Sequence, residues 1–184
     1  WLQEKAYPDQ PIGRTILGET DRVSGFTKDD LATFVSEHYG PDQMILSAAG
    51  AVDHDAIVAQ AEALFADMVP RPFLLADAAR FQGGESRKVK DLEQAHLALA
   101  FESPGYRDPN FYTAQVYSVA LGGGMSSRLF QEIREKRGLC YTIFAQTGAY
   151  SDTGMTTIYA GTSGDEIKDL TNLTIDEMKR AADD

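Results

Sequence analysis

Apolar residues in the first half of the chain recur at helical spacing in two segments, and each segment follows a residue that can cap a helix. Thr27, with Asp30 three positions later, precedes one stripe, and Asp53 precedes the other. Between them, Met44 to Ala49 is an apolar run of strand length. The pattern therefore predicts a helix, a strand and a second helix in this half.

The second half of the chain switches repeatedly between strand and helix patterns. The predicted strands are Ser86 to Lys90, Gln94 to Glu102, Leu139 to Tyr150 and Met155 to Thr162. Helices are predicted after Asp108-Pro109, from Ser127 to Arg137, and after the capping pair Ser163 and Glu166. A short polar turn joins the last two strands, which predicts an antiparallel hairpin. The fold class is therefore α+β.

A stretch without periodicity separates the two halves. Pro70 and Pro72 break regular pairing there, and Gly83-Gly84 closes the stretch. We therefore predict a first unit over residues 1–68, a linker over 69–84 and a second unit over 85–184.

Composition narrows the class of protein. The chain has 184 residues, of which 43% are hydrophobic, and a net charge of -11. That charge argues against a nucleic-acid surface, and no apolar run has the roughly 20 residues of a membrane helix. We expect a soluble protein that binds neither nucleic acid nor membrane. The single Cys140 excludes an internal disulfide and is expected to be a buried structural thiol.

The stretch from Gly122 to Tyr141 contains the residues most indicative of a site. Gly122, Gly123 and Gly124 form a loop in which bare amide groups can approach a partner. Ser126 or Ser127 can cap the helix that follows, and Gly138 ends it. Arg134 falls in the last turn of this helix and Tyr141 at the start of the next strand. A planar cation and a phenol are thus predicted near one junction.

This stretch resembles the second domain of M16 metallopeptidases, the family of pitrilysin and the mitochondrial processing peptidase. Members share a glycine-rich loop, a Ser-Arg-Leu-Phe helix start, here Ser127 to Phe130, and an Arg followed seven residues later by Tyr. Tyr7 to Gly18 and Met44 to His54 are similar to the later part of the first domain. The resemblance implies a central fragment of two partial M16-type α/β sandwich units, each with an antiparallel sheet packed by helices.

The zinc motif of that family has no counterpart in the chain. Its inverted His-x-x-Glu-His sequence holds the metal with a further downstream Glu, and the Glu within the motif activates water. The nearest match is Phe34 to His38, where Phe34 stands in place of the first ligand. For His54 and His96 we expect surface or satisfied-core roles. We therefore expect no metal site and no cofactor in this fragment, and zinc in the parent enzyme.

The resemblance gives the candidate site residues a role, and the sequence alone leaves simpler alternatives open. In the family, the Arg and Tyr corresponding to Arg134 and Tyr141 stabilise the substrate carbonyl, and the loop Gly122 to Gly124 handles substrate. Alternatively, Arg134 complements the helix end, Tyr141 packs its ring in the core, and the loop is a plain helix break.

The resulting functional expectation is a fragment of a zinc-dependent endopeptidase that cleaves peptides or presequences and that contributes substrate-binding elements. Its partners would be an extended peptide or protein substrate and either a zinc-binding N-terminal part or a partner M16 subunit, in a homo- or heterodimer. The alternatives are a non-catalytic M16-like subunit and a peptide-binding or structural module. The expected location is the bacterial cytoplasm or periplasm.

Overall fold

The computed structural model describes residues 1–72 and 77–183. The helices are α1 (Leu2–Ala6), α2 (Thr20–Ser24), α3 (Lys28–His38), α4 (His54–Phe65), α5 (Phe111–Gly122) and α6 (Ile167–Asp183). The strands are β1 (Ala95–Ser103), β2 (Cys140–Ala149) and β3 (Gly154–Thr162). Short 3-10 turns occur at Pro11–Gly13 and Pro41–Gln43, and a π-helical segment at Phe130–Glu135.

The chain divides into two compact units. Trp1–Ile16 and Ala78–Asp184 form one, here called the sheet unit, and Leu17–Asp77 forms the other, here called the helical unit. The predicted boundaries at residues 68 and 84 stay predictions. Residues 73–76 of the predicted linker lie outside the described residues.

The sheet unit is built on three antiparallel strands in the order β1-β3-β2. β2 and β3 form the predicted hairpin, and β1 pairs with the other edge of β3. One face of the sheet packs against α5, α6 and the π-helical segment. The buried apolar residues are Leu121, Leu129, Ile133, Cys140, Ile143, Ala145, Ile158, Ala160 and Leu170. The predicted α+β class with an antiparallel sheet packed by helices is confirmed.

The N-terminal segment packs onto the turn of the hairpin. Tyr7 is fully buried, and its hydroxyl lies 2.9 Å from the Thr153 hydroxyl and donates to the Gly154 carbonyl at 3.2 Å. The ring of Phe81 meets the Tyr7 ring edge-on. Burial raises the pKa of Tyr7. These contacts explain why residues 1–16 belong to the sheet unit although some 60 residues separate them from the rest of it.

Local capping organises the helical unit as predicted. The Thr27 hydroxyl accepts from the Asp30 amide, and the Asp30 carboxylate accepts from the Thr27 amide at 2.8 Å. These two hydrogen bonds begin α3. The carboxylate of Asp53 accepts from the Ala56 amide at 2.9 Å and begins α4. None of the helices α2, α3 and α4 has a buried residue.

Two predicted strands do not form. Met44 to Ala49 and Ser86 to Lys90 both run outside regular structure. An extended segment becomes a strand only when a neighbour satisfies its backbone groups, and neither segment pairs with one among the described residues. Ile45 is accordingly 93% exposed and Val89 is 88% exposed. Within residues 1–72 and 77–183, no helix combines the length and apolarity needed to cross a membrane.

Candidate functional site

The three glycines of the predicted loop have different surroundings. Gly122 ends α5 against β2, where an added Cβ would stand 2.4 Å from the Ala145 amide nitrogen. At Gly123 an added Cβ would meet Val119 of α5, whereas at Gly124 it would meet nothing within 4 Å. Gly122 is buried, while Gly123 and Gly124 are exposed. Close approach of backbone atoms therefore requires glycine at both 122 and 123, and only the exposed Gly123 and Gly124 present backbone to a partner.

Hydrogen bonds and ion pairs hold the segment after the loop. The Ser127 hydroxyl donates to the Gly124 carbonyl at 2.6 Å, and the side-chain amide of Gln131 donates to the Met125 carbonyl at 2.7 Å. Arg128 lies 3.3 Å from the nearly buried carboxylate of Glu177 on α6. Arg180 pairs with the same carboxylate at 2.8 Å. A buried carboxylate flanked by two guanidiniums thus ties the end of the loop to α6.

Arg134 lies in the last turn of the helical segment, as predicted. The segment is π-helical from Phe130 to Glu135, a geometry frequent at functional sites. The guanidinium stands 4.4 Å above the Phe130 ring and 3.2 Å from the Glu135 carboxylate. Its side chain is 36% exposed. The ring supports the cation from one side while part of the guanidinium stays accessible to solvent.

A tight turn links Arg134 to the next strand. Gly138 has φ 66°, a left-handed conformation that favours glycine, and its amide donates to the Arg134 carbonyl at 3.0 Å. Cys140 then begins β2 with its thiol in the core. Burial raises the pKa of this thiol, Arg134 opposes the rise, and Glu166 adds to it. The positive charge of Arg134 therefore acts on the residue directly before Tyr141.

Tyr141 occupies an interruption in the ladder between β2 and β3. Cys140 pairs with Thr162 and Thr142 pairs with Gly161, so Tyr141 is the extra residue of a β-bulge. Its side chain is 80% exposed. The alternative in which the Tyr141 ring packs in the core is therefore wrong, because the bulge removes this residue from the alternation that points Ile143 inward. The shared catalytic role of Arg134 and Tyr141 stays a prediction.

The histidines are dispersed. His38 stacks on Phe34 at 4.4 Å between ring centroids and contacts the Phe34 carbonyl through Nδ1. His96 uses its Nδ1 for a 2.8 Å contact with the Tyr159 hydroxyl. Across residues 1–72 and 77–183, no group of three or more His, Cys, Asp or Glu side chains is placed to hold a metal. The described residues thus do not fit a zinc site.

Sequence reasoning missed the polar partners that surround these elements. Glu177 lies in the amphipathic pattern of α6, and Tyr159 lies in the alternating pattern of β3. Neither pattern indicates that Glu177 contacts Arg128 or that Tyr159 contacts His96. It also missed a groove of about 410 Å³ between β1, α5 and α6. The hydroxyl of Ser103 lies buried in the groove wall without a hydrogen-bond partner among the described residues.

Comparison with known proteins places these features in a family. The family model described as the peptidase M16 inactive domain matches residues 25–184. A Rickettsia felis protein named an uncharacterized zinc protease is 44% identical over 163 residues, which are 88% of this chain and 40% of that protein. The Bacillus subtilis protein named uncharacterized zinc protease YmxG is 32% identical, over 96% of this chain and 43% of that protein. The chain therefore spans less than half the length of these curated relatives.

Solved structures share the fold. The crystal structure of a peptidase M16 inactive domain from Pseudomonas fluorescens has a TM-score of 0.79 at 22% identity, covering 97% of this chain and 44% of that one. A chain of complex III2 from Candida albicans, with Inz-5 bound, has a TM-score of 0.78 at 22% identity, covering 96% of this chain and 44% of that one. At this identity, the likeness shows the fold alone.

Proposed function

The chain belongs to the M16 peptidase family through its inactive-domain region, and from that premise we propose that it is the substrate-holding part of a zinc-dependent endopeptidase. Relatives named zinc proteases support the reaction class. Because the chain spans less than half of their length, cleavage of a peptide or presequence by the whole protein is part of the proposal.

The exposed phenol of Tyr141 is the observation that carries this proposal. A β-bulge presents it immediately after the turn that follows Arg134, and Arg134 is stacked and only partly exposed. Both groups donate hydrogen bonds. In peptide hydrolysis, negative charge develops on the carbonyl oxygen, and fixed donors aimed at that oxygen stabilise the transition state. We assign these two side chains to that task and the exposed Gly123 and Gly124 to contact with an extended peptide.

The metal of such an enzyme would be held elsewhere. The described residues do not fit zinc, since the three histidines are apart and two of them already use a ring nitrogen within the fold. We therefore propose that the zinc ligands belong to another part of the same protein or to a partner M16 subunit. The contribution of this chain is to bind and orient the substrate carbonyl.

A non-catalytic partner subunit is the second candidate function. The family description of an inactive domain supports it. The two candidates differ in whether the full-length protein carries a zinc motif. A His-x-x-Glu-His sequence in the same full-length protein favours the peptidase, whereas its absence favours the partner subunit.

The test is steady-state kinetics of the full-length protein, with any partner subunit present. Arg134→Ala and Tyr141→Phe should each lower turnover about 100-fold to 1000-fold, the usual cost of one lost transition-state donor. Arg134→Lys should recover only part of the loss, because an ammonium lacks the planar fork. Tyr112→Phe on α5 is the matched control, since that ring is 77% exposed and lies outside the site.

Thermal melting separates catalysis from folding in this series. Tyr141→Phe keeps the ring, so its melting temperature should equal that of the Tyr112→Phe control. Turnover within about twofold of the unmodified protein for both Arg134→Ala and Tyr141→Phe would remove the assignment, given the loss expected for one donor.

A further inference from the structure

The face of the sheet turned away from α5 and α6 carries an oriented imidazole. Leu97, Ile143 and Ile158 point to the helices, so strand alternation puts His96, Tyr159 and Phe144 on the opposite face. We call it the open face. His96 and Tyr159 on this face do not pack in the core of the sheet unit.

His96 and Tyr159 form a built pair on this face. The phenol hydroxyl lies 2.8 Å from Nδ1 of the imidazole, and the two rings stack with centroids 6.0 Å apart. Phe144 supports the Tyr159 ring from β2 at 5.3 Å. Gly161 lies directly opposite His96 and presents no side chain between the two partners. The imidazole is thereby held in one orientation.

One nitrogen of this imidazole remains for a ligand. Nδ1 is used by Tyr159, and across residues 1–72 and 77–183 the Nε2 atom has no hydrogen-bond partner. The His96 side chain is exposed. The Tyr159 phenol holds Nδ1 of this exposed ring and leaves Nε2 to solvent. A side chain that is held in this way loses little conformational entropy when a ligand binds.

Strand register places this imidazole in the row of the sheet whose other end lies next to Tyr141 in the chain. His96 on β1 faces Gly161 on β3, and Gly161 faces Thr142 on β2, so these three residues form one row across the sheet. Tyr141 directly precedes the β2 end of that row. Two strand spacings separate β1 from β2, which is about 10 Å, and an extended peptide covers that distance with about three residues.

From this row we infer that His96, oriented by Tyr159, is a further substrate-contacting residue: its Nε2 hydrogen-bonds a backbone group of an extended peptide about three residues from the bond held by Tyr141. The inference rests on the proposed function and adds a binding contact to it. Because this contact lies away from the reacting carbonyl, it should affect ground-state and transition-state binding equally. Its loss should therefore raise KM and leave kcat unchanged.

Paired substitutions test which nitrogen matters. The Gln amide reaches the position of the imidazole Nε2, whereas the shorter Asn amide reaches only that of Nδ1. In the full-length protein, His96→Asn should raise KM for a peptide substrate about threefold to tenfold, the size of one lost hydrogen bond. His96→Gln should restore KM to within about twofold. Tyr159→Phe keeps the ring and frees the imidazole, so it should raise KM by a smaller factor.

The control is Glu102→Gln, which changes the same face of β1 at its other end, opposite Met155. It should leave KM unchanged. A KM for His96→Asn equal to that of the unmodified protein, or equal impairment by Asn and Gln, would overturn the inference. If His96→Asn does not fold, an unchanged KM in a stable Tyr159→Phe protein would do the same.

The same kinetic series distinguishes failure of the His96 contact from failure of the proposed function. Reduced turnover in Arg134→Ala and Tyr141→Phe with inert His96 variants rejects only the His96 contact. If none of these variants changes turnover or KM, the proposed function itself is rejected.

Discussion

The two units of the chain use apolar residues in opposite ways. In the sheet unit, leucines and isoleucines from α5, α6 and the hairpin form a buried core, with Leu121, Ile133 and Leu170 fully inaccessible. In the helical unit, apolar residues at helical spacing lie on the surface, and Phe34 and Leu64 are 53% and 78% exposed. What differs is whether a second layer is present to cover them.

This difference teaches that periodicity predicts which face of a helix is apolar, but not whether another part of the protein packs on that face. A helix with an apolar stripe gains most of its stability from packing that stripe, and short isolated helices are marginal in water. End caps should therefore contribute a larger share of helix stability in the helical unit than in the sheet unit, which has a buried core. The relatives are more than twice as long as this chain. We propose that, in a full-length protein of this size, residues outside this chain pack on the apolar faces of α3 and α4.

The largest effect should come from truncating the same residue type in both units. Leu170→Ala leaves a cavity in the core of the sheet unit and should lower the free energy of unfolding by about 2–5 kcal/mol. Leu64→Ala on α4 should cost no more than about 0.5 kcal/mol, because its side chain is largely exposed. Urea denaturation followed by fluorescence and circular dichroism measures both.

The Leu64→Ala control becomes informative in the full-length protein. If another layer covers α4 there, the same substitution should cost several times more than in this chain. An equal, small cost in both proteins would contradict the proposed cover of the helical unit.

An intermediate effect is expected where the N-terminal segment joins the sheet unit. Tyr7→Phe removes the hydroxyl that pairs with Thr153 and Gly154 and leaves buried polar atoms without a partner, which should cost about 1–3 kcal/mol of unfolding free energy. Tyr112→Phe, at an exposed site, should cost almost nothing. Identical unfolding midpoints for the two variants would show that water replaces the lost partner.

The smallest effect should come from the cap of α3. Thr27→Ala removes the capping box and should weaken the helix by about 1 kcal/mol. Because α3 has no buried residue in the part of the chain that the structure describes, the loss should appear as reduced helical signal in circular dichroism. Ser163→Ala removes the corresponding cap before α6, where Ser163 and Glu166 hydrogen-bond each other. There the core should retain the helix, and only the cooperative midpoint should fall.

The pH dependence of the same cap has a defined sign. Hydrogen bonds from the Thr27 hydroxyl and amide lower the pKa of the Asp30 carboxyl. A lowered pKa in the folded state means that this stabilisation is present above the ordinary Asp pKa, near pH 4, and is lost as pH falls through the lowered value. Helical signal should therefore decrease below about pH 4 in the unmodified chain and change less in Thr27→Ala. Equal acid profiles would contradict this account.

Local signals allowed much of the fold to be predicted. Caps at Thr27, Asp53 and Ser163 and the hairpin between β2 and β3 involve residues near one another in sequence, and all are confirmed. The strands predicted at Met44 to Ala49 and Ser86 to Lys90 were wrong because strand formation depends on a distant partner. The packing of Tyr7 against the hairpin was also missed, since a contact between residues 146 positions apart leaves no local pattern.

The candidate site was predicted to the same degree. Arg134 lies in the last turn of the helical segment and Tyr141 near the start of β2, as expected, whereas Gly122 belongs to the buried end of α5 and not to an open loop. The bulge at Tyr141 and the His96–Tyr159 pair depend on register across β3. Register is a property of paired strands, so the sequence of one strand does not contain it.

The bulge at Tyr141 also shows that the pairing of β2 with β3 does not depend on this residue. Deleting this one residue would bring Cys140 and Thr142 into consecutive pairs with Thr162 and Gly161, and every later residue of β2 would keep its neighbour. The sheet would close in unbroken register without it. Position 141 is therefore not used by the pairing of β2 with β3, and its exposed phenol is available for a task other than holding the sheet together.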